Sequence, residues 1–324
     1  VREHRFDPFT GDGVVLCDER RPDRALPVPP DGPVPCALCA GNEAVTGPTL
    51  DAIAGDSGWS ARAVAHRLPA LRVEESGEPH QDGPWLRATG LGAHEVLVES
   101  PTHAPLHEQP VERSVAALAL LARRLGDLRR DRRLVSFAWW REEGLSTCHH
   151  PVSQLVALPY VPEALVRAVS HQVSWAARHG RPLAREVVTA EEQDGRRLVW
   201  SAPGAIAVCP WAPRAAFEVW VMPRAAGPSP ADAPLEALEA VAAGARAARR
   251  ALAAALGPIP VVTSLSCGPV DAPPVVGWFL RLRPRTTPPF GFEDAAGTVM
   301  NSVFPEESAR VLRSAWAASE PAVP

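Results

Sequence analysis

The sequence predicts an α+β fold built mainly on antiparallel sheet, and three observations carry that prediction. Short apolar runs of strand length are bounded by Gly and Pro. Longer stretches keep helical spacing, among them Pro110–Arg130, Glu163–Arg178 and Pro234–Ala255. The order of β-meander, long helix and strand also occurs twice along 324 residues. A boundary near Arg178–Pro182 divides the chain into halves 1–178 and 179–324.

In order, Thr10-Gly11-Asp12-Gly13 is a turn that feeds the strand Val14–Leu16, and a Pro-rich loop from Arg21 to Pro35 follows. Strand-like runs stand at Ala61–Ala65 and His94–Glu99. The helix over Pro110–Arg130 places Val115, Leu118, Leu121 and Leu125 on one face. Arg133–Trp140 and Ser153–Leu158 are strands, the second closed by Pro159 before the helix Glu163–Arg178. In the second half, Arg197–Val208 predicts paired strands about Pro203-Gly204, Phe217–Met222 a strand, and Pro234–Ala255 a long helix stopped by Gly257-Pro258. Trp278–Leu282 is a further strand and Glu306–Ala317 the final helix.

Composition narrows the function. A formal net charge of −4 gives no bulk attraction for nucleic acid or an anionic membrane. No apolar stretch approaches the roughly 18–20 residues that span a bilayer. The polar start, Val1-Arg2-Glu3-His4-Arg5, lacks the apolar centre of a secretory signal, so a cytoplasmic location is expected. All 33 basic residues are Arg, which leaves arginine and backbone amides to hold any phosphate and excludes Schiff-base chemistry on lysine. Of six cysteines, only Cys36 and Cys39 stand close, as Cys-Ala-Leu-Cys, the spacing of half a metal site or a redox pair.

Five segments share a pattern: Arg2–Asp12 (REHRFDPFTGD), Cys36–Glu43 (CALCAGNE), His150–Pro159 (HPVSQLVALP), Pro210–Arg224 (PWAPRAAFEVWVMPR) and Gly291–Asn301 (GFEDAAGTVMN). Together these resemble, in order and over nearly the whole chain, the galactose-1-phosphate uridylyltransferases of the histidine-triad superfamily. The resemblance implies two histidine-triad-like halves, one structural zinc per chain, a sugar-phosphate or nucleotide-type ligand and a homodimer. It also implies a zinc ligand set: Cys36, Cys39, His103 in Ser100-Pro101-Thr102-His103, and the first histidine of His-Pro-His-x-Gln, here His150. Counted from Gly144, His149 takes that last place; counted from Pro151 and Gln154, His150 does. Neighbouring residues of a strand face opposite ways, so only one ligates, and the closer anchors favour His150.

The departure is at the nucleophile. The second histidine of the family motif, which carries the uridylyl group, is Val152 here, and an isopropyl group has no lone pair with which to attack phosphorus. His149 and Cys148 are the nearest substitutes. The positions that match another family metal site carry Ala168, Gly277 and Phe279, none of them a ligand. What the resemblance retains is binding: Gln154 for a phosphate, Glu293 for sugar hydroxyls and Arg21 for a nucleotide phosphate. His66, in place of a family asparagine, is a candidate acid or base. The expectation is a divergent enzyme acting on a sugar-phosphate or nucleotide-sugar without a covalent uridylyl-histidine. The alternatives are a non-catalytic binder and a residual nucleotidyltransferase working through His149.

Overall fold

The computed structural model describes residues 2–17, 36–56, 58–144, 150–225, 227–286 and 291–319. Its strands are β1 (Arg2–Phe6), β2 (Gly13–Cys17), β3 (Thr49–Ile53), β4 (Ala61–Ala65), β5 (Pro79–Asp82), β6 (Trp85–Thr89) and β7 (Ala93–Val98). Then come helix α1 (Val111–Leu128), β8 (Ser136–Glu143), β9 (Val152–Leu158), α2 (Glu163–His179) and α3 (Leu183–Asp194). The second half continues with β10 (Leu198–Ala202), β11 (Ala205–Val208), β12 (Val219–Pro223), α4 (Leu235–Leu256), β13 (Val261–Ser266), β14 (Phe279–Pro284), α5 (Gly291–Ala296) and α6 (Pro305–Ser319).

Ten strands form one antiparallel sheet in the order β10-β11-β12-β14-β13-β8-β9-β7-β4-β3, and β2-β1-β6-β5 form a smaller one. The two halves meet where β8 pairs with β13, with Val261 opposite Glu143 and Ser264 opposite Trp140. Period-two alternation then sorts the side chains. On β9, Ser153, Leu155 and Ala157 are buried, while Val152, Gln154 and Val156 lie half-exposed on the other face. The buried face is covered by α1 and α4, whose Leu120, Leu121, Leu125, Val241, Ala248 and Leu252 pack on Ala63, Leu97, Leu155, Val221 and Leu282. Four helices enter through a proline at the N-cap (Pro110, Pro162, Pro182, Pro234), which cannot extend a helix backwards and so fixes where each begins.

The opposite face is covered unevenly. Over the second half, Val188 of α3 packs with Ile206, Val208, Met222 and Phe279. Over the first half, the strip of Val152, Gln154 and Val96 keeps partial exposure. No residue of α2 is buried.

The expected strand Phe217–Met222 begins two residues later, because Phe217 has φ 61°, a left-handed turn that no strand accommodates. The strand expected at Arg133–Trp140 is shifted to Ser136–Glu143, after the turn in which Leu134 bonds back to Asp131. No described helix is long and apolar enough to cross a membrane.

Candidate functional site

A Cys-x-x-Cys turn sets the first half of the site. Cys39 N–H donates to Cys36 carbonyl at 3.2 Å and Asn42 Nδ2 donates to the same carbonyl at 2.9 Å, which closes the loop with both thiols on one side. The Ser100–His103 turn and the start of β9 bring two imidazoles to those thiols. One ligand atom from each of Cys36, Cys39, His103 and His150 lies within 4.8 Å of the others. Cys39 Sγ stands 3.2 Å from His103 Nε2 and 3.9 Å from His150 Nδ1, and Cys36 Sγ is 3.8 Å from the same Nδ1. A tetrahedron of two thiolates and two imidazoles about one ion has edges of roughly 3.3–3.8 Å, so the four residues fit a metal ion.

The surroundings prepare His150 as a ligand. Its Nε2–H donates to the Ser100 carbonyl at 2.7 Å, which leaves the Nδ1 lone pair toward the thiols. Burial, more than any neighbour, pulls its pKa below the usual imidazole range, so the ring stays neutral. Glu43 and Arg62 frame the knuckle. The Trp59 indole N–H donates to Glu43 at 2.7 Å, while the fully buried Arg62 donates to Thr46 Oγ1 at 2.8 Å and lies 5.1 Å from the Trp59 ring centre.

Four residues along the chain from His150, the strip on β9 carries a second cluster. The Ala70 N–H donates to His94 Nδ1 at 3.1 Å, so the proton of the neutral ring sits on Nε2, which donates to Gln154 Oε1 at 2.9 Å. With its oxygen taken, the half-exposed Gln154 keeps its NH2 group as a donor, one suited to phosphoryl or hydroxyl oxygens. The ring of His66 stacks on His94 with centroids 4.2 Å apart and planes at 21°. Leu68 N–H donates to His66 Nδ1 at 3.0 Å, which places the proton of that ring on Nε2 as well. Two expected residues, Gln154 and His66, are thus joined through one that sequence reasoning missed, His94. Its only signal was a polar residue at the head of an apolar strand.

Beside Val152 opens a cavity of about 220 Å³, lined by His103, His107, Arg141, Glu143, His150 and Arg249. Its charges are balanced in pairs. Arg141 holds Glu99 at 2.5 Å and 2.9 Å, and Arg249 reaches Glu143 at 3.2 Å. A larger cavity of about 700 Å³, between the end of α1 and the loop after β13, shares none of the expected site residues.

The remaining expectations fall elsewhere. Arg21, Cys148 and His149 lie outside the described residues. Glu293 sits on α5, where its carboxylate accepts from Met300 N–H at 3.1 Å, and Asn301 ties that segment to the Pro213 carbonyl before β12. Glu293 therefore belongs to a segment of the second half held to the stretch before β12. Ala168 is exposed on α2. Gly277 N–H donates to Gln172 Oε1 of α2 at 2.9 Å, and a Cβ there would meet Ala184 of α3 at 2.4 Å. Phe279 packs on Trp220 with ring centres 4.6 Å apart. Both positions serve the seating of α2 and α3.

No family model matches the chain. Among curated proteins it is 25% identical over 331 residues to ADP-glucose phosphorylase of Arabidopsis thaliana, covering 96% of this chain and 92% of that protein. Among solved structures it resembles a uridylyltransferase with a TM-score of 0.83 at 22% identity, covering 98% of this chain and all of that one. It also resembles the Arabidopsis thaliana ADP-glucose phosphorylase with ADP-glucose bound, TM-score 0.77 at 23% identity, over 97% and 99% of the two chains. A GalT-like protein of the same plant matches with TM-score 0.76 at 21% identity over 86% and 91%. The chain is thus similar to ADP-glucose phosphorylase along nearly its whole length, and it has the fold of the uridylyltransferase and ADP-glucose phosphorylase structures.

Proposed function

We propose that the chain binds a nucleotide-sugar, with ADP-glucose the first to try, on the half-exposed face of β9 and acts there as a transferase without a covalent protein intermediate. The observation that carries this is the pairing of a retained, oriented donor with a missing nucleophile. Gln154 is held by His94 with its NH2 group left as a donor, while Val152, two residues earlier on that face, offers only methyl groups. Chemistry on this strand is then a direct displacement at phosphorus. An acceptor oxygen bonds the phosphorus as the bond to the leaving oxygen breaks, and the protein supplies position and hydrogen bonds. His66, protonated on Nε2, is the donor we assign to the charge that develops.

In this reading the Cys36, Cys39, His103 and His150 cluster holds a structural zinc. Such an ion closes the Cys-x-x-Cys turn onto the start of β9 and fixes the strand that carries Gln154. The chain works as a homodimer in the cytoplasm. Exposed Phe292, Met300 and Phe304 flank Glu293, and a second subunit covering them brings that carboxylate to the ligand of its partner.

Turnover and intact mass test the reading together. Incubation with ADP-glucose and phosphate, or with UDP-glucose and a sugar phosphate, is expected to yield products while the protein mass stays unchanged. A nucleotidyl adduct on His149 or Cys148 would contradict direct transfer. Tight binding with no turnover across the panel would make the protein a binder.

A further inference from the structure

Alternation along β14 sends Leu280 and Leu282 into the core and Arg281 and Arg283 to the opposite face, the one that carries Gln154. The registers place Arg281 in the same cross-strand row: it is opposite Ser264, which is opposite Trp140, which is opposite Gln154. Three strand spacings separate the two residues, about 14 Å between strand axes.

This pair lacks the direct ion pairs that three other arginines of the molecule make. Arg124 holds Glu95 at 2.7 Å, Arg141 holds Glu99 at 2.5 Å, and Arg197 holds Glu191 at 3.1 Å. Among the described residues, no carboxylate forms an ion pair with Arg281 or Arg283, and the Nε of each is buried without a hydrogen-bond partner. Arg281 Nη2 donates to Ser266 Oγ at 3.1 Å, and its guanidinium lies 5.1 Å from the Phe279 ring centre and 5.6 Å from that of Trp220. Glu218 is the acidic group that acts on Arg281, yet its two oxygens are already taken by Arg214 N–H at 2.6 Å and Trp220 Nε1–H at 2.8 Å. Burial, and then the charges of Arg283 and Arg214, pull the pKa of Arg281 down against that attraction. Two adjacent, partly desolvated cations with one carboxylate nearby and no direct ion pair are costly unless an anion completes them.

We propose that Arg281 and Arg283 form a second anion subsite on this face, which takes the phosphoryl group of a small phosphorylated ligand. Two planar forks on one side of a strand suit the oxygens of a phosphate, and the half-exposure of both side chains leaves them reachable from solvent. The inference goes beyond the nucleotide-sugar reading and borrows from it only that this face meets ligand.

Thermal melting and calorimetry of the zinc-loaded full chain test it, with inorganic phosphate, glucose 1-phosphate and ADP-glucose as separate probes and chloride at matched ionic strength as control. Wild type should melt higher with at least one phosphoryl probe than with chloride. R283Q, and R281Q with it, should bind that probe at least tenfold more weakly, and R283Q should melt no lower than wild type when no phosphoryl probe is present. The R283Q variant keeps the test sound, since Arg283 has no described partner to lose. Unchanged probe affinity in both variants, a lower melting point of R283Q without a phosphoryl probe, or no effect of any probe on wild type would each overturn the subsite. Phosphate protection that vanishes in R283Q while ADP-glucose stays silent would keep the subsite and sink the nucleotide-sugar reading. ADP-glucose binding with phosphate protection unchanged in R283Q would do the reverse.

Discussion

His94 donates through Nε2 to the side-chain oxygen of Gln154 at 2.9 Å, across 60 residues of sequence, and so leaves the NH2 end of that carboxamide as its remaining donor. The relation works because the Ala70 N–H occupies the other ring nitrogen. A free glutamine side chain presents oxygen or nitrogen alike; this one presents nitrogen.

Replacing the ring but keeping its shape isolates that effect. His94→Phe retains an aromatic partner for His66 and removes the donor to Gln154. Affinity for ADP-glucose should fall about fivefold to tenfold, the scale of one net hydrogen bond. Calorimetric titration reads it, and an unchanged constant would show that the orientation of Gln154 does not matter to binding.

The metal cluster predicts a coupled loss. Cys36→Ser or His150→Ala should release zinc and lower stability by several kcal/mol, on the order seen where metal and folding are linked. Metal content by atomic emission and chemical denaturation check the two halves of the statement. A variant that keeps one zinc per chain and the wild-type midpoint is incompatible with these ligands.

Arg124 and Glu95 test the core beneath the site. Their side chains are 8% and 5% exposed and joined by two hydrogen bonds, of 2.9 Å and 2.7 Å. Arg124→Met alone strands a buried carboxylate and should cost about 3–5 kcal/mol, whereas adding Glu95→Leu should restore most of it. Denaturation midpoints of the single and double variants decide.

Glu43 gives the pH dependence a sign. The Trp59 indole N–H first, then the Gly41 N–H, holds its carboxyl at about 2, against an ordinary value of 4.5. The folded state therefore binds this proton less readily than the unfolded chain. The stability it adds is complete above pH 4.5 and is lost as the pH falls toward 2. Glu43→Gln should be less stable than wild type at pH 6, with the gap narrowing through pH 4 to pH 3. A gap that is constant with pH would mean the carboxylate charge plays no part.

How far the sequence alone reached depended on the range of the forces involved. The long helices were legible because Leu118, Leu121 and Leu125 repeat at helical spacing and Pro110 and Pro234 mark the starts. The grouping of Cys36, Cys39, His103 and His150 was expected from the family resemblance, with Pro151 and Gln154 the anchors that favoured His150. These four residues do come within reach of one ion. The hairpin of β5 and β6 escaped notice because Pro79–Asp82 is exposed throughout and carries no apolar alternation. The pairing of β8 with β13, which makes one sheet of two halves, joins residues more than a hundred apart and left no local trace. His94 and the arginines of β14 were passed over for the same reason: each is ordinary in its own strand, and only the register gives it a neighbour. Glu293 was singled out only by its resemblance to a family residue that contacts sugar hydroxyls; its segment is tied to Pro213.

The most direct measurement is calorimetric titration of the zinc-loaded protein with ADP-glucose, run in parallel on wild type and Gln154→Ala. The account predicts saturable binding to wild type and affinity about tenfold or more weaker in the variant, the scale of a hydrogen bond to a charged group. Equal affinity in the two proteins, or no binding to wild type, would contradict the placement of a nucleotide-sugar on β9.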